Sequence, residues 1–180
     1  TGAGRGIGRA VALRLAREGA AVAVADINEE SAIAVAGEIN QNAGLAIELK
    51  TDVTDESQVE RMVQQTVSQF GRLDIMVANA GIIQISYLLD HKLEDWNKLM
   101  AVNVTGVWLC CRYAAKQMIA QGQGGKIIIA ASGAAKTGSP RNGAYTVSKH
   151  AVLGLTRSLA LELASRGIED IGEGVGEYLH

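Results

Sequence analysis

The chain has 180 residues, 48% of them apolar, and a net charge of −2. That is enough to bury one substantial core, so a single domain over residues 1–180 is the expectation. The charge gives no support for binding nucleic acid or an anionic membrane, and no apolar run approaches the roughly 18 residues that a membrane span needs.

In chain order, the opening Thr1-Gly-Ala-Gly-Arg5 lacks the apolar core of a signal peptide. Gly2, Gly4, Gly6 and Gly8 alternate there, and a helical pattern follows through Ile7, Val11 and Leu13–Ala16 to Gly19. Ala20–Asp26 reads as a buried strand with a carboxylate at its end, and Glu29–Asn42 as a helix stopped by Gly44. Leu45–Lys50 alternates and reads as a less buried strand. Thr54 is placed to N-cap a helix running to Phe70, with Asp55 and Glu56 in its first turn. Leu73–Ala78 is the next strand, followed by Asn79-Ala80-Gly81. A long helix is expected from about Leu93 to about Gln121. It carries Cys110 and Cys111 side by side, the only cysteines, so a structural disulfide is not expected and a reduced, cytoplasmic setting fits. Gly125 to Ser132 is an Ile-rich strand ending in a hydroxyl, and a further helix carries Ala144–Lys149 and runs to about Arg166. His91, His150 and His180 have no metal-ligand spacing, and no metal site is expected. Alternating strands and helices with short connections predict a Rossmann-like α/β fold, a doubly wound parallel sheet with helices on both faces.

Three features carry chemistry. Glycines just before a helix let the backbone turn tightly and approach a pyrophosphate, with helix N–H groups facing the anion. Here the spacing is TGxxxGxG, not GxGxxG, and it is weak evidence by itself. Asp26 lies 18 residues beyond Gly8, close to the roughly 20-residue offset of a carboxylate that bonds an adenosine ribose; a helix N-cap is the plainer role for it. Tyr145 and Lys149 are four apart, on one face of a helix. A free tyrosine has a pKa of about 10, and lowering it to about 7 takes roughly 4 kcal/mol of preference for the phenolate. A nearby ammonium in a partly dry cleft is a source of much of that preference. Taken alone, Tyr145 packs, Lys149 is solvated and Ser132 caps a turn.

Taken together, the motifs and their order resemble the short-chain dehydrogenase/reductase family. The matching elements are Thr1-Gly2-x-x-x-Gly6-Ile7-Gly8, Asp52-Val53, Asn79-Ala80-Gly81, Asn103, Ser132 and Tyr145-x-x-x-Lys149, with 13 residues from Ser132 to Tyr145. The resemblance covers Thr1 to about Ile168 and implies roles residue by residue. Gly2, Gly6 and Gly8, with Arg5 and Ile7, would form the pyrophosphate turn. Asp26 would bond the ribose and favour NAD, since a 2′-phosphate would meet a like charge; Arg5 is the hint toward NADP. Asp52 and Val53 would lie on the adenine side, and Asn79, Ala80 and Gly81 beside the cofactor. Tyr145 would be the general acid/base, Lys149 would hold the nicotinamide ribose, Ser132 would orient the substrate oxygen, and Asn103 would serve a water-mediated proton relay to the lysine.

The family pattern also implies a first strand ahead of the glycine turn, and a Pro-Gly turn and substrate lid after Ile168. None precedes Thr1, and the single proline is Pro140. Glu169-Asp-Ile171 reads instead as the start of a later family helix, which implies a missing segment between residues 168 and 169; Gly172, Gly174 and Gly176 suit a helix poorly. Ile82-Ile83-Gln84-Ile85 with Leu88-Leu89 resemble the corresponding residues of acyloin, diol and polyol dehydrogenases. A small secondary alcohol or its ketone is therefore the expected substrate. The alternative is a 3-oxoacyl-[acyl-carrier-protein] reductase using NADPH. A non-catalytic nucleotide-binding homologue is the reading from another class, and the presence of Asn103, Ser132, Tyr145 and Lys149 together argues against it. A homotetramer is expected from the resemblance and from apolar residues on both long helices, including Trp108, Leu109, Val152 and Leu155.

Overall fold

The computed structural model describes residues 1–173, which fall into two compact units, Thr1–Leu73 and the residues from Asp74 onward. The first unit runs α1 (Gly6–Arg17), β1 (Ala21–Asp26), α2 (Glu29–Gln41), β2 (Leu45–Lys50) and α3 (Glu56–Phe70). The two strands pair in parallel from Ala21 against Leu45 to Asp26 against Lys50. Beyond them the Thr51 N–H donates to the Asp26 carbonyl at 2.8 Å. Ala32, Val35, Ala36 and Ile39 form the apolar stripe of α2, at the spacing that puts side chains on one helix face. They share a core with Ala12 of α1, Val22 and Val24 of β1, and Ala46 of β2.

The helix starts follow capping chemistry, with one correction. Asn28 caps α2 by accepting from the Ser31 N–H at 2.8 Å, so Asp26 is free of that task. Asp55, not Thr54, caps α3: its carboxylate accepts from the N–H groups of Ser57 and Gln58 at 2.9 and 3.1 Å. Thr54 turns back and donates its N–H and hydroxyl to Asp52 Oδ1. The Ser57 and Gln58 side-chain bonds, with the backbone bonds, hold the Asp55 carboxyl down at about 2.

The second unit runs β3 (Ile75–Ala78), α4 (Leu93–Met100), α5 (Val107–Gln121), β4 (Gly125–Ala130), α6 (Gly143–Leu163) and β5 (Ile168–Glu173). Its sheet order is β3-β4-β5 and both pairings are parallel. Parallel strands joined by helical crossovers are the α/β architecture that the alternating pattern predicted. The helix expected from Leu93 to Gln121 forms over that range, but Ala101–Gly106 adopts π-helical bonding in its middle. Ile127 and Ile129 of β4 are fully buried, as are Leu99, Met118, Cys110 and Cys111; neither cysteine forms a disulfide.

Two expectations fail here. Residues from Glu169 do not begin a helix: Ile168–Glu173 extend alongside β4, from Ile168 against Gly125 to Glu173 against Ala130. The approach is set by Gly124 and Gly167, at φ 69° and 67°, where a side chain at Gly124 would collide with the Gly167 carbonyl. Gly174 and Gly176 lie outside the described residues. Of the four residues named for subunit contacts, Leu109 and Val152 are buried in the second unit itself, whereas Trp108 is 43% exposed.

The first unit also explains a glycine that the TGxxxGxG motif leaves unassigned. A Cβ at Gly4 would lie 2.6 Å from Ser31 Cβ and 3.0 Å from Asp26 Oδ2. Gly4→Ala is expected to destabilise the protein by about 1–3 kcal/mol through overpacking, and Ser31→Gly in the same chain to recover part of the loss. Urea unfolding of the single and double variants checks this.

Candidate active site

In the first unit the predicted nucleotide residues gather at the C-terminal ends of β1 and β2. Gly2 and Gly6 have φ of 60° and 54°, a backbone that other residues rarely adopt, and α1 begins at Gly6. Arg5 sits at its N-cap position, extended and without a side-chain cap bond, and no acidic residue occupies the first turn. The positive end of this helix is therefore unneutralised by its own side chains. Gly8 is buried, while Arg5 and Ile7 are exposed. The Asp26 carboxylate is tied to the turn: Oδ2 accepts from the Gly4 N–H at 2.8 Å and Oδ1 from the Asn28 N–H at 2.9 Å. The Ala3 N–H donates to the Ala25 carbonyl at 3.1 Å, which lays the turn against β1. Asp52 is held by Thr54 and by its own N–H to Gln58 Oε1 at 3.0 Å, and Val53 is buried. A glycine turn with positive φ at Gly2 and Gly6 and no space for a side chain at Gly4, an uncapped helix start and a carboxylate at the strand tip fit the pyrophosphate and ribose of a dinucleotide.

In the second unit the predicted residues surround the start of α6. Lys149 is 5% exposed and its ammonium donates to the Ala130 carbonyl, at the end of β4, at 2.7 Å. The same ammonium lies 5.5 Å from the centre of the Tyr145 ring. Burial pushes the Lys149 pKa below its usual 10.5. Ser132 follows β4 by two residues; its hydroxyl accepts from the Ala134 N–H at 3.2 Å, and the Gly133–Ala135 turn packs against α6. The plain role expected of Ser132, capping a turn, is thus present in the structure. Asn79 donates its N–H to the Val77 carbonyl, just after β3.

Asn103, fully buried in the π-helical turn, holds the chain after Gly81. Its Oδ1 accepts from the Ile82 N–H and its Nδ2 donates to the Ile82 carbonyl, both at 2.8 Å. Nδ2 also donates to Ser148 Oγ at 3.1 Å, and Ser148 donates in turn to the Tyr145 carbonyl at 2.7 Å. A Cβ at Gly81 would lie 3.4 Å from Asn103 Oδ1, so the turn passes close to the carboxamide. Ser148 escaped the sequence reading: α6 also carries Thr146, Lys149, His150, Thr156 and Arg157, so one more polar residue gives no signal.

A model of the family described as short chain dehydrogenase matches residues 1–172. The chain belongs to the short-chain dehydrogenase family. A sorbitol dehydrogenase of Cereibacter sphaeroides is 44% identical over 93% of this chain. A 3-oxoacyl-[acyl-carrier-protein] reductase of Synechocystis is 41% identical over the same share. The chain spans 64% and 68% of the lengths of these two relatives. The crystal structure of a short-chain type dehydrogenase/reductase from Mycobacterium marinum superposes with a TM-score of 0.89 at 41% identity, covering 93% of this chain and 68% of that one.

The buried lysine makes a pH signature. Its ammonium costs stability at neutral pH, fully below its lowered pKa, and the cost disappears as pH rises past the ordinary 10.5, where the unfolded lysine is neutral too. Lys149→Met removes this dependence. The stability of the wild type relative to Lys149→Met is therefore expected to rise between pH 7 and pH 10.5, as read from the difference in Tm; a difference that stays flat with pH would contradict it.

Proposed function

We propose that the protein is an NAD(H)-dependent oxidoreductase that interconverts a secondary alcohol, of the polyol, diol or acyloin type, with its ketone. The observation that carries this reading is the Lys149 ammonium, buried against the Ala130 carbonyl and facing the Tyr145 ring at 5.5 Å. In oxidation the Tyr145 phenolate takes the proton from the alcohol oxygen, and in reduction the phenol returns it. The positive charge of Lys149 favours the phenolate, and Lys149 also holds the nicotinamide ribose. The Ser132 hydroxyl orients the substrate oxygen and stabilises charge developing on it. Asn103 serves the relay toward Lys149 by fixing the Ile82 backbone. When bound, the dinucleotide accepts the hydride leaving the alcohol carbon, or supplies it in reduction.

Gly2, Arg5, Gly6, Ile7 and Gly8 would hold the pyrophosphate, Asp26 the adenosine ribose, Asp52 and Val53 the adenine, and Asn79, Ala80 and Gly81 the inner half of the cofactor. Asp26 supports NAD, because a carboxylate already fixed by two backbone N–H groups cannot turn away from a 2′-phosphate. The relative from Synechocystis supports a second reading, an NADPH-dependent 3-oxoacyl reductase. Initial rates with NADH and NADPH across acyloins, polyols and 3-oxoacyl thioesters separate the two. Tyr145→Phe is expected to abolish turnover while leaving NAD binding largely intact by titration calorimetry; unchanged turnover would remove Tyr145 from the mechanism.

We also propose a homotetramer. Trp108, Ile119, Val147 and Leu161 expose 43%, 41%, 44% and 83% of their surfaces on α5 and α6, and these are the apolar residues that support the reading. Light scattering at micromolar protein is expected to give the tetramer mass, and a monomer mass would count against it.

A further inference from the structure

Tyr145 stands in the first turn of α6, and that turn is uncapped: Asn142 makes no side-chain cap bond and no acidic residue lies in the turn. The first N–H groups of a helix have no partner within it, so such a turn depends on ties from elsewhere. One tie comes from the chain after β3. The Ser86 N–H donates to the Arg141 carbonyl at 2.9 Å, just ahead of the helix. That stretch is held in turn by Gln84, whose Nε2 donates to Asp95 Oδ1 at 3.1 Å.

Ser148 supplies the other tie. It is fully buried, and its hydroxyl is used in both directions. Oγ donates to the Tyr145 carbonyl at 2.7 Å and accepts from Asn103 Nδ2 at 3.1 Å. A helical serine that only bonds back to the preceding turn adds no stability to its helix and tends to bend it. Ser148 differs through its second bond, to a residue 45 positions away whose carboxamide is otherwise committed to Ile82. The Tyr145 peptide is thereby fastened to the Ala101–Gly106 turn as well as to its own helix. Lys149, the next residue, is fastened elsewhere, to the Ala130 carbonyl at the end of β4. The 5.5 Å from ammonium to phenol ring therefore spans two anchors on different elements. Because the attraction between two such groups depends on their separation, the anchors set its strength.

We propose that Ser148 is a positioning residue for the proton transfer: through Asn103 it holds the Tyr145 backbone against the anchored Lys149 ammonium, and it touches neither substrate nor cofactor. This rests on the reading of Tyr145 and Lys149 as the acid–base pair, and adds which group fixes their separation.

Ser148→Ala removes both bonds. The test uses whichever acyloin, polyol or 3-oxoacyl thioester the wild type turns over fastest, with kcat counted per dinucleotide-binding site found by titration calorimetry. The variant is expected to lose about tenfold in kcat, the scale of one hydrogen bond, while KM and dinucleotide affinity hold. Ser148→Cys keeps a weak donor in nearly the same volume and is expected to recover part of the loss. A role confined to folding would lower Tm and the number of binding sites but leave kcat per site intact, and that result overturns the proposal. A loss carried by KM with kcat held overturns it too. If Ser148→Ala binds no dinucleotide, Ser148→Cys decides alone: kcat per site below wild type is expected, and an unchanged kcat overturns the role. Tyr145→Phe separates the two levels. Where it silences the enzyme and Ser148→Ala keeps full kcat, only the role of Ser148 falls; where it leaves turnover unchanged, the acid–base reading falls and the role of Ser148 with it.

Discussion

The carboxamide of Asn103 is the constraint on which the geometry of the second unit depends. It grips both the N–H and the carbonyl of Ile82, as a paired strand would, and passes its remaining hydrogen to Ser148. Three elements meet at this one buried side chain: the π-helical turn it sits on, the chain leaving β3, and the helix that carries Tyr145. A shorter or non-amide side chain could not donate and accept on the same backbone residue, and Ile82 would leave two polar groups unsatisfied. Ser148 then ties the helix through the Tyr145 carbonyl, while Lys149, one residue on, reaches the end of β4.

The first unit uses a carboxylate in the same manner. Asp26 bonds the glycine turn through Gly4 and the start of the α2 connection through Asn28. Ser31 closes the space behind Gly4, which is why the alternation of glycines includes a member that the nucleotide motif does not require. The shape of the turn is therefore held by its own neighbours, Asp26 on one side and Ser31 on the other.

Patterns that repeat along the chain were legible in the sequence. Leu45–Lys50 has the bounds its alternation implies, and α2 ends within one residue of its expected limit. Tyr145 and Lys149 share a face because helix geometry fixes the relation of residues four apart. What was not legible depends on partners distant in sequence or on single-residue choices. Thr54 and Asp55 are both good caps, and only the backbone around Asp52 decides between them. The run from Glu169 has acidic residues suited to a helix start, yet the open edge of β4 takes it as a strand. Leu109 and Val152 were named as grounds for subunit contacts, and a helix with apolar residues all round does not reveal which side meets its own core.

The π-helical turn at Ala101–Gly106 has a consequence for how this protein can change. It sits between Asp95, which orients Gln84, and α5, while Asn103 within it holds Ile82. The wider turn accommodates one residue more than an α-helical path would. Losing a residue there would rewind the segment and swing α4 by about 100° against α5, so the two grips on the 82–86 stretch could no longer engage together. Point substitutions can drift through this region, but its length cannot: insertions and deletions between Met100 and Val107 should be purged far more strictly than those in the neighbouring loops.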